Sequence, residues 1–151
     1  MEAILTKNGL DLSPQDYSLL TDLYQLTMAA CYAGEGIATK KASFELFPRR
    51  LPENFGYLIA MGLAQALDYL EVLSFDSVQI QALQSTGIFN QAPDSFWELL
   101  ESGGFTGDVW AVAEGTATFA NEPILRIEAP LWQAQLAVSY THLTLPTICS
   151  V

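Results

Sequence analysis

The chain carries six Lys and Arg residues against seventeen Asp and Glu, and four of the six lie between Lys40 and Arg50. Arg49 and Arg50 follow an alternating run, Ala42 to Phe47, and then Pro48, which cannot donate to a ladder and so ends a strand. An acidic chain that gathers its cations just past a strand end has the means to hold an anion there. Each guanidinium offers a planar fork of donors matched to phosphate or carboxylate. On the pattern alone such a pair is more often a solvated edge or a pair of gatekeepers. Tyr24, in TDLYQLTM, lies on an apolar helix face, where such a tyrosine is more often a core aromatic with its hydroxyl satisfied. The other reactive types offer less. Cys31 and Cys149 are too far apart for a disulfide framework or a zinc site, and His142 is the sole histidine. Glu114-Gly115 reads as a turn between strands, not as an acid or base.

These residues need elements to hold them. Asp22 and Gln25 have the spacing of a capping box. Leu23, Leu26, Ala30 and Ala33 then fall on one helical face, and Tyr24, Met28 and Cys31 on a neighbouring one. The two stripes predict a helix buried on more than one side and ended by Gly34 and Gly36. Residues 1–17 read as an irregular arm, and Gly56 to Met61 as a strand or a helix entry. Gly62 to Leu73 reads as a helix with Leu63, Ala66, Leu67 and Leu70 inward. Asp76 caps a helix with Val78, Ile80 and Leu83 inward, and Pro93 or Asp94 opens one with Phe96, Leu99 and Leu100 inward. The period then shortens: GDVWAVAEG, TATFA and PILRIEAP are strand-like, and LWQAQL starts a helix after Pro130. Helices followed by clustered strands point to an α+β arrangement.

At 151 residues, half of them apolar, the chain is long enough for one domain with a core. A formal charge of −11 argues against nucleic acid or an anionic membrane as partner, since both require a basic face. No apolar run is long enough to span a bilayer, and MEAILTKNGLDLSPQDY lacks the pattern of a signal peptide, so a cytoplasmic location is expected.

TDLYQLTM, SFELFPRRLP, GYLIAMGLAQALDYLEVLSF and FTGDVWAVAEGTATFANEPILRIEAPLWQAQL, in that order, resemble the N-terminal part of nicotinate phosphoribosyltransferase from about Leu20 to about Leu136. The resemblance implies the N-terminal α/β region of a type II phosphoribosyltransferase, with the (β/α) barrel missing from this chain. It implies an enzyme of NAD salvage that joins nicotinate to 5-phosphoribosyl-1-pyrophosphate, with Mg²⁺ and with ATP hydrolysis through a phosphohistidine. It also implies a homodimer with active sites at the subunit interface. Tyr24 matches the family tyrosine that stacks on the pyridine ring, and Arg49 the arginine that reaches phosphate, with Arg50 a neighbouring substrate-binding candidate. No catalytic residue or metal ligand is expected within the chain, and neither Mg²⁺ nor ATP is expected to bind it alone. The ending AVSYTHLTLPTICSV departs from the family and resembles a translated adapter read-through. A domain over 1–137 and a non-native tail over 138–151, making few native contacts, are therefore expected, with His142 and Cys149 chemically idle. The alternatives are a non-catalytic structural or dimerisation module, or a nicotinamide phosphoribosyltransferase-like activity.

Overall fold

The computed structural model describes residues 14–144. A 3-10 turn, Pro14–Leu19, precedes α1 (Leu23–Gly34) and β1 (Lys41–Leu46). The chain continues through β2 (Leu58–Ile59), α2 (Leu63–Val72), α3 (Ser77–Ser85) and α4 (Asp94–Ser102). It closes with β3 (Asp108–Ala111), β4 (Ala117–Thr118), β5 (Leu125–Pro130) and α5 (Leu131–Thr144). Among the described residues β1, β5 and β3 form an antiparallel sheet in that order, and β2 pairs with β4. The expected α+β class is what is found.

β5 is the middle strand because both its faces are provided for. Leu125, Ile127 and Ala129 point to the core, and Ile127 sits opposite Phe44 of β1 and Val109 of β3. Arg126 and Glu128 point the other way, as the two-residue period requires. α5 leaves β5 with no loop between them and packs over β1, β5 and α1. The first N–H groups of a helix have no partner within it. Here Leu131 donates to the Lys40 carbonyl at 2.9 Å and Trp132 to the Ala38 carbonyl at 3.1 Å, both in the α1–β1 connection.

Trp132 to Ala137 are all buried, so α5 is a central helix and its two buried glutamines must find partners. Gln133 donates to the Gly104 carbonyl at 3.0 Å and accepts from the Thr106 N–H at 2.9 Å and the Thr106 hydroxyl at 3.1 Å. Gln135 accepts from the Tyr32 hydroxyl at 2.9 Å and donates to the Gln25 carbonyl oxygen. Beneath the α3–α4 connection, Phe89, Phe96 and Trp97 form an aromatic cluster, with Phe89 stacked on Phe96 at 5.5 Å between centroids.

Several sequence expectations change. Pro14–Leu19 is a 3-10 turn, not an irregular arm, and residues 1–13 lie outside the described residues. Asp22 is the N-cap of α1 in an extended conformation but makes no side-chain cap bond: the Gln25 N–H donates to the Asp22 backbone carbonyl at 3.0 Å, and the Gln25 side chain is turned into the core toward Gln135. The capping box forms instead at α3, where Asp76 accepts from the Gln79 N–H at 2.7 Å and Gln79 returns the bond. α1 is buried on one side, not two: Gln25, Leu26, Ala29, Ala30 and Ala33 face in, while Leu23, Tyr24, Met28 and Cys31 are exposed. Val78 is exposed while Gln79 and Ile80 face inward, and Leu67 is exposed while Ala66, Tyr69 and Leu70 face inward. Gly56 to Met61 contains a two-residue strand. The 137/138 boundary falls inside α5, which is helical to Thr144; the side chains from Ser139 on, His142 included, and residues 145–151 with Cys149 lie outside what is described.

Gly107, at the entry to β3, lies directly against β5. A Cβ there would stand 2.5 Å from Ala129 Cβ and 2.6 Å from the Glu128 carbonyl oxygen, a backbone atom that cannot swing away. Gly107→Ala is therefore expected to cost at least ~1–3 kcal/mol, read as a lowered midpoint in urea unfolding.

Candidate functional site

Tyr24 stands in the first turn of α1 with 54% of its surface exposed. Its orientation follows from its neighbour: Gln25 is 1% exposed and held by Gln135, so Tyr24, one residue earlier on the helix, is turned to the outside. With Leu23, Met28 and Cys31 it makes an apolar strip along the outer side of α1. Beside that strip lies a groove of about 320 Å³ between α1 and the α3–α4 connection, lined by Thr27, Cys31, Gly34, Ile88, Ala92 and Pro93.

Arg49 and Arg50 lie just past β1, as the strand-ending Pro48 requires, and both are exposed. Two other described cations, Lys41 and Arg126, are engaged. Lys41 Nζ lies 3.0 Å from Glu128 Oε2, and Arg126 lies 3.6 Å from Glu128 Oε1 with its guanidinium carbon 4.6 Å from the centre of the Trp110 ring. Among the described residues neither Arg49 nor Arg50 makes an ion pair, so both guanidinium groups are available to an outside anion. Phe47, beside them in sequence, is partly exposed, and so is Phe119 on the neighbouring β4–β5 connection.

The two halves of the candidate site lie on separate elements that leave the same connection, residues 35–40. Tyr24, Arg49 and Arg50 line neither the groove beside α1 nor the surface hollows beside β2, α4 and β3. They are surface groups, suited to completing a site with another surface. Glu114 does not join them: its Oε1 accepts from the Gly62 N–H at 2.9 Å and the Ala64 N–H at 3.2 Å, closing the N-terminus of α2 from another part of the chain. Two contributors escape a reading by motif. Gln135 was detectable as a polar residue inside an otherwise apolar helix start, whereas Asn121, whose N–H donates to the Pro48 carbonyl at 2.7 Å, gives no sequence signal beyond a turn-forming type.

Gln135 is thus the group that sets how α1 presents Tyr24. Gln135→Leu leaves the Gln25 amide and the Tyr32 hydroxyl without a buried partner. The expected loss is about 1–3 kcal/mol in urea unfolding, and Gln25→Leu combined with Gln135→Leu is expected to lose less than the sum of the two single changes.

Comparison with known proteins places the chain. A family model described as the nicotinate phosphoribosyltransferase N-terminal domain matches residues 19–140. A nicotinate phosphoribosyltransferase of Mycobacterium tuberculosis is 42% identical over 123 residues, covering 82% of this chain and 26% of the relative. That of Bacillus subtilis is 46% identical over 119 residues, covering 79% and 24%. The crystal structure of human nicotinic acid phosphoribosyltransferase superposes with a TM-score of 0.74 at 32% identity, over 83% of this chain and 25% of that one. A nicotinate-nucleotide pyrophosphorylase from Pyrococcus furiosus shares the fold at a TM-score of 0.56 and 18% identity, over 91% of this chain and 26% of that one. The chain spans about a quarter of the length of the relatives it matches.

Proposed function

The chain belongs to the nicotinate phosphoribosyltransferase family, and we propose that it supplies the N-terminal region of an enzyme that joins nicotinate to 5-phosphoribosyl-1-pyrophosphate for NAD salvage. One observation carries the reading: within a segment matched across residues 19–140, Tyr24, Arg49 and Arg50 are exposed and not spent on internal ion pairs. Substitution at the anomeric carbon of the ribose builds positive charge on the ring while pyrophosphate departs with negative charge. The protein must therefore hold a flat pyridine ring and phosphate oxygens in register. Tyr24 supplies a face on which the pyridine stacks. Arg49 takes phosphate oxygens through its fork of donors, and Arg50 stands next to it as a second cation.

The apolar strip around Tyr24 supports a site shared with another surface, and a partner subunit is our reading of that surface. Among the described residues no three His, Cys, Asp or Glu side chains group where they could hold a metal ion. Mg²⁺ and the coupling to ATP hydrolysis belong to the proposal through the family. A cytoplasmic location is likewise part of the proposal; no helix among the described residues is long and apolar enough to cross a membrane.

On this reading the 151-residue chain alone forms no nicotinate mononucleotide from nicotinate, ATP, Mg²⁺ and phosphoribosyl pyrophosphate, because groups that act as a unit give far less than their share when separated. Substituted for the matching segment of the Bacillus subtilis relative, residues 19–136 should support turnover. In that chimera Tyr24→Ala should raise KM for nicotinate more than for the phosphoribosyl donor, and Arg49→Ala the reverse, each by roughly tenfold or more. Tyr24-dependent turnover by the chain alone, or equal effects of both substitutions on both substrates, would count against these roles.

A further inference from the structure

We propose that Asn121 is a positioning residue for Arg49 and Arg50; the proposal rests on the reading that these arginines meet a phosphate. Residues Phe119 to Glu122 form a tight turn. The Glu122 N–H donates to the Phe119 carbonyl at 3.2 Å, and the Glu122 carboxylate accepts from the Phe119 N–H at 2.9 Å. Asn121 is the third residue of the turn and has φ 64°. That left-handed conformation is one that Gly and Asn adopt readily and β-branched residues strongly resist.

In this conformation the Asn121 N–H is not used by the turn and donates to the Pro48 carbonyl at 2.7 Å. Two residues earlier the Leu46 carbonyl accepts from the Ile124 N–H at 2.9 Å, so the β4–β5 connection holds the chain on both sides of Phe47. The Pro48 carbonyl is an effective handle. Proline has no N–H to pin, and its ring already fixes φ. Holding its carbonyl then fixes the plane of the peptide bond that ends at the Arg49 nitrogen. The direction in which the chain launches Arg49 is set by a turn more than seventy residues away in sequence, through one backbone bond. Among the described residues Arg49 and Arg50 have no ion pair to hold them, so loss of this bond leaves both guanidinium groups to be ordered by the anion at its own expense in entropy.

The test uses the full 151-residue chain, inorganic pyrophosphate as probe, and NMR titration, with the heteronuclear NOE of the Arg49 and Arg50 amides as a readout that needs no ligand. Asn121→Val should weaken pyrophosphate binding roughly tenfold and lower the NOE at Arg49 and Arg50 while leaving that of the core amides unchanged. Asn121→Gly, which keeps the left-handed conformation, should bind within about twofold of the parent. If the Val variant does not fold, Asn121→Ala takes its place. A Val or Ala variant that matches the parent in affinity and in NOE overturns the proposal. If the parent binds no pyrophosphate, or Arg49→Ala and Arg50→Ala leave binding unchanged, the phosphate reading fails and the NOE alone decides. A fall confined to Arg49 and Arg50 in Val and absent in Gly supports positioning; equal values overturn it.

Discussion

The corner between Pro130 and Leu131 is the constraint on which the rest of the fold depends. A strand that becomes a buried helix without a loop leaves the first N–H groups of that helix to be satisfied. The carbonyls of Lys40 and Ala38 do so, which brings the α1–β1 connection to that point. With the connection placed, β1 pairs along β5 from Lys41 opposite Pro130 to Leu46 opposite Leu125, and α1 lies along α5. Gln135 completes the attachment by holding both Gln25 and Tyr32. The two elements that carry Tyr24 and the arginines are thus fixed to one corner, each by backbone and by core packing.

Much of this was legible in the sequence. Alternation in Ala42 to Leu46 and in Leu125 to Pro130, the apolar repeats of α2 to α4, and the glycines at helix ends all have local causes, and local causes can be read locally. What could not be read depends on groups distant along the chain. Asp22 with Gln25 and Asp76 with Gln79 have identical spacing, yet only the second forms a box, because only at the first does a buried partner from α5 compete for the glutamine. The apolar stripe of Tyr24, Met28 and Cys31 reads as a second buried face by period alone; its exposure follows from which side of α1 meets α5. Glu114 looks like a turn residue in sequence, and its service as a cap for α2 depends on the pairing of β2 with β4. For the candidate site, the pattern put Arg49 and Arg50 past a strand end, and they lie there, exposed. The turn at Asn121 is legible as a run of turn-forming residues, but its bond to the Pro48 carbonyl, distant along the chain, is not.

Exposure and lack of ion pairing are what separate the candidate site from the rest of the polar inventory. Glu128 and Arg126 serve the outer face of the sheet, Gln133 and Gln135 the core, and Glu114 a helix end. Tyr24, Arg49 and Arg50 do no comparable work inside the molecule. The account's central claim is therefore that these three are presented by the fold and are no part of what stabilises it.

Equilibrium urea unfolding of the triple variant Tyr24→Ala, Arg49→Ala, Arg50→Ala tests that claim most directly. Substitutions of exposed side chains away from buried networks stay within about 0.5 kcal/mol each, so the account predicts a midpoint close to the parent's and an unchanged dependence on urea. A loss of several kcal/mol, of the size seen when a buried aromatic is truncated, would place Tyr24 in the core and contradict it.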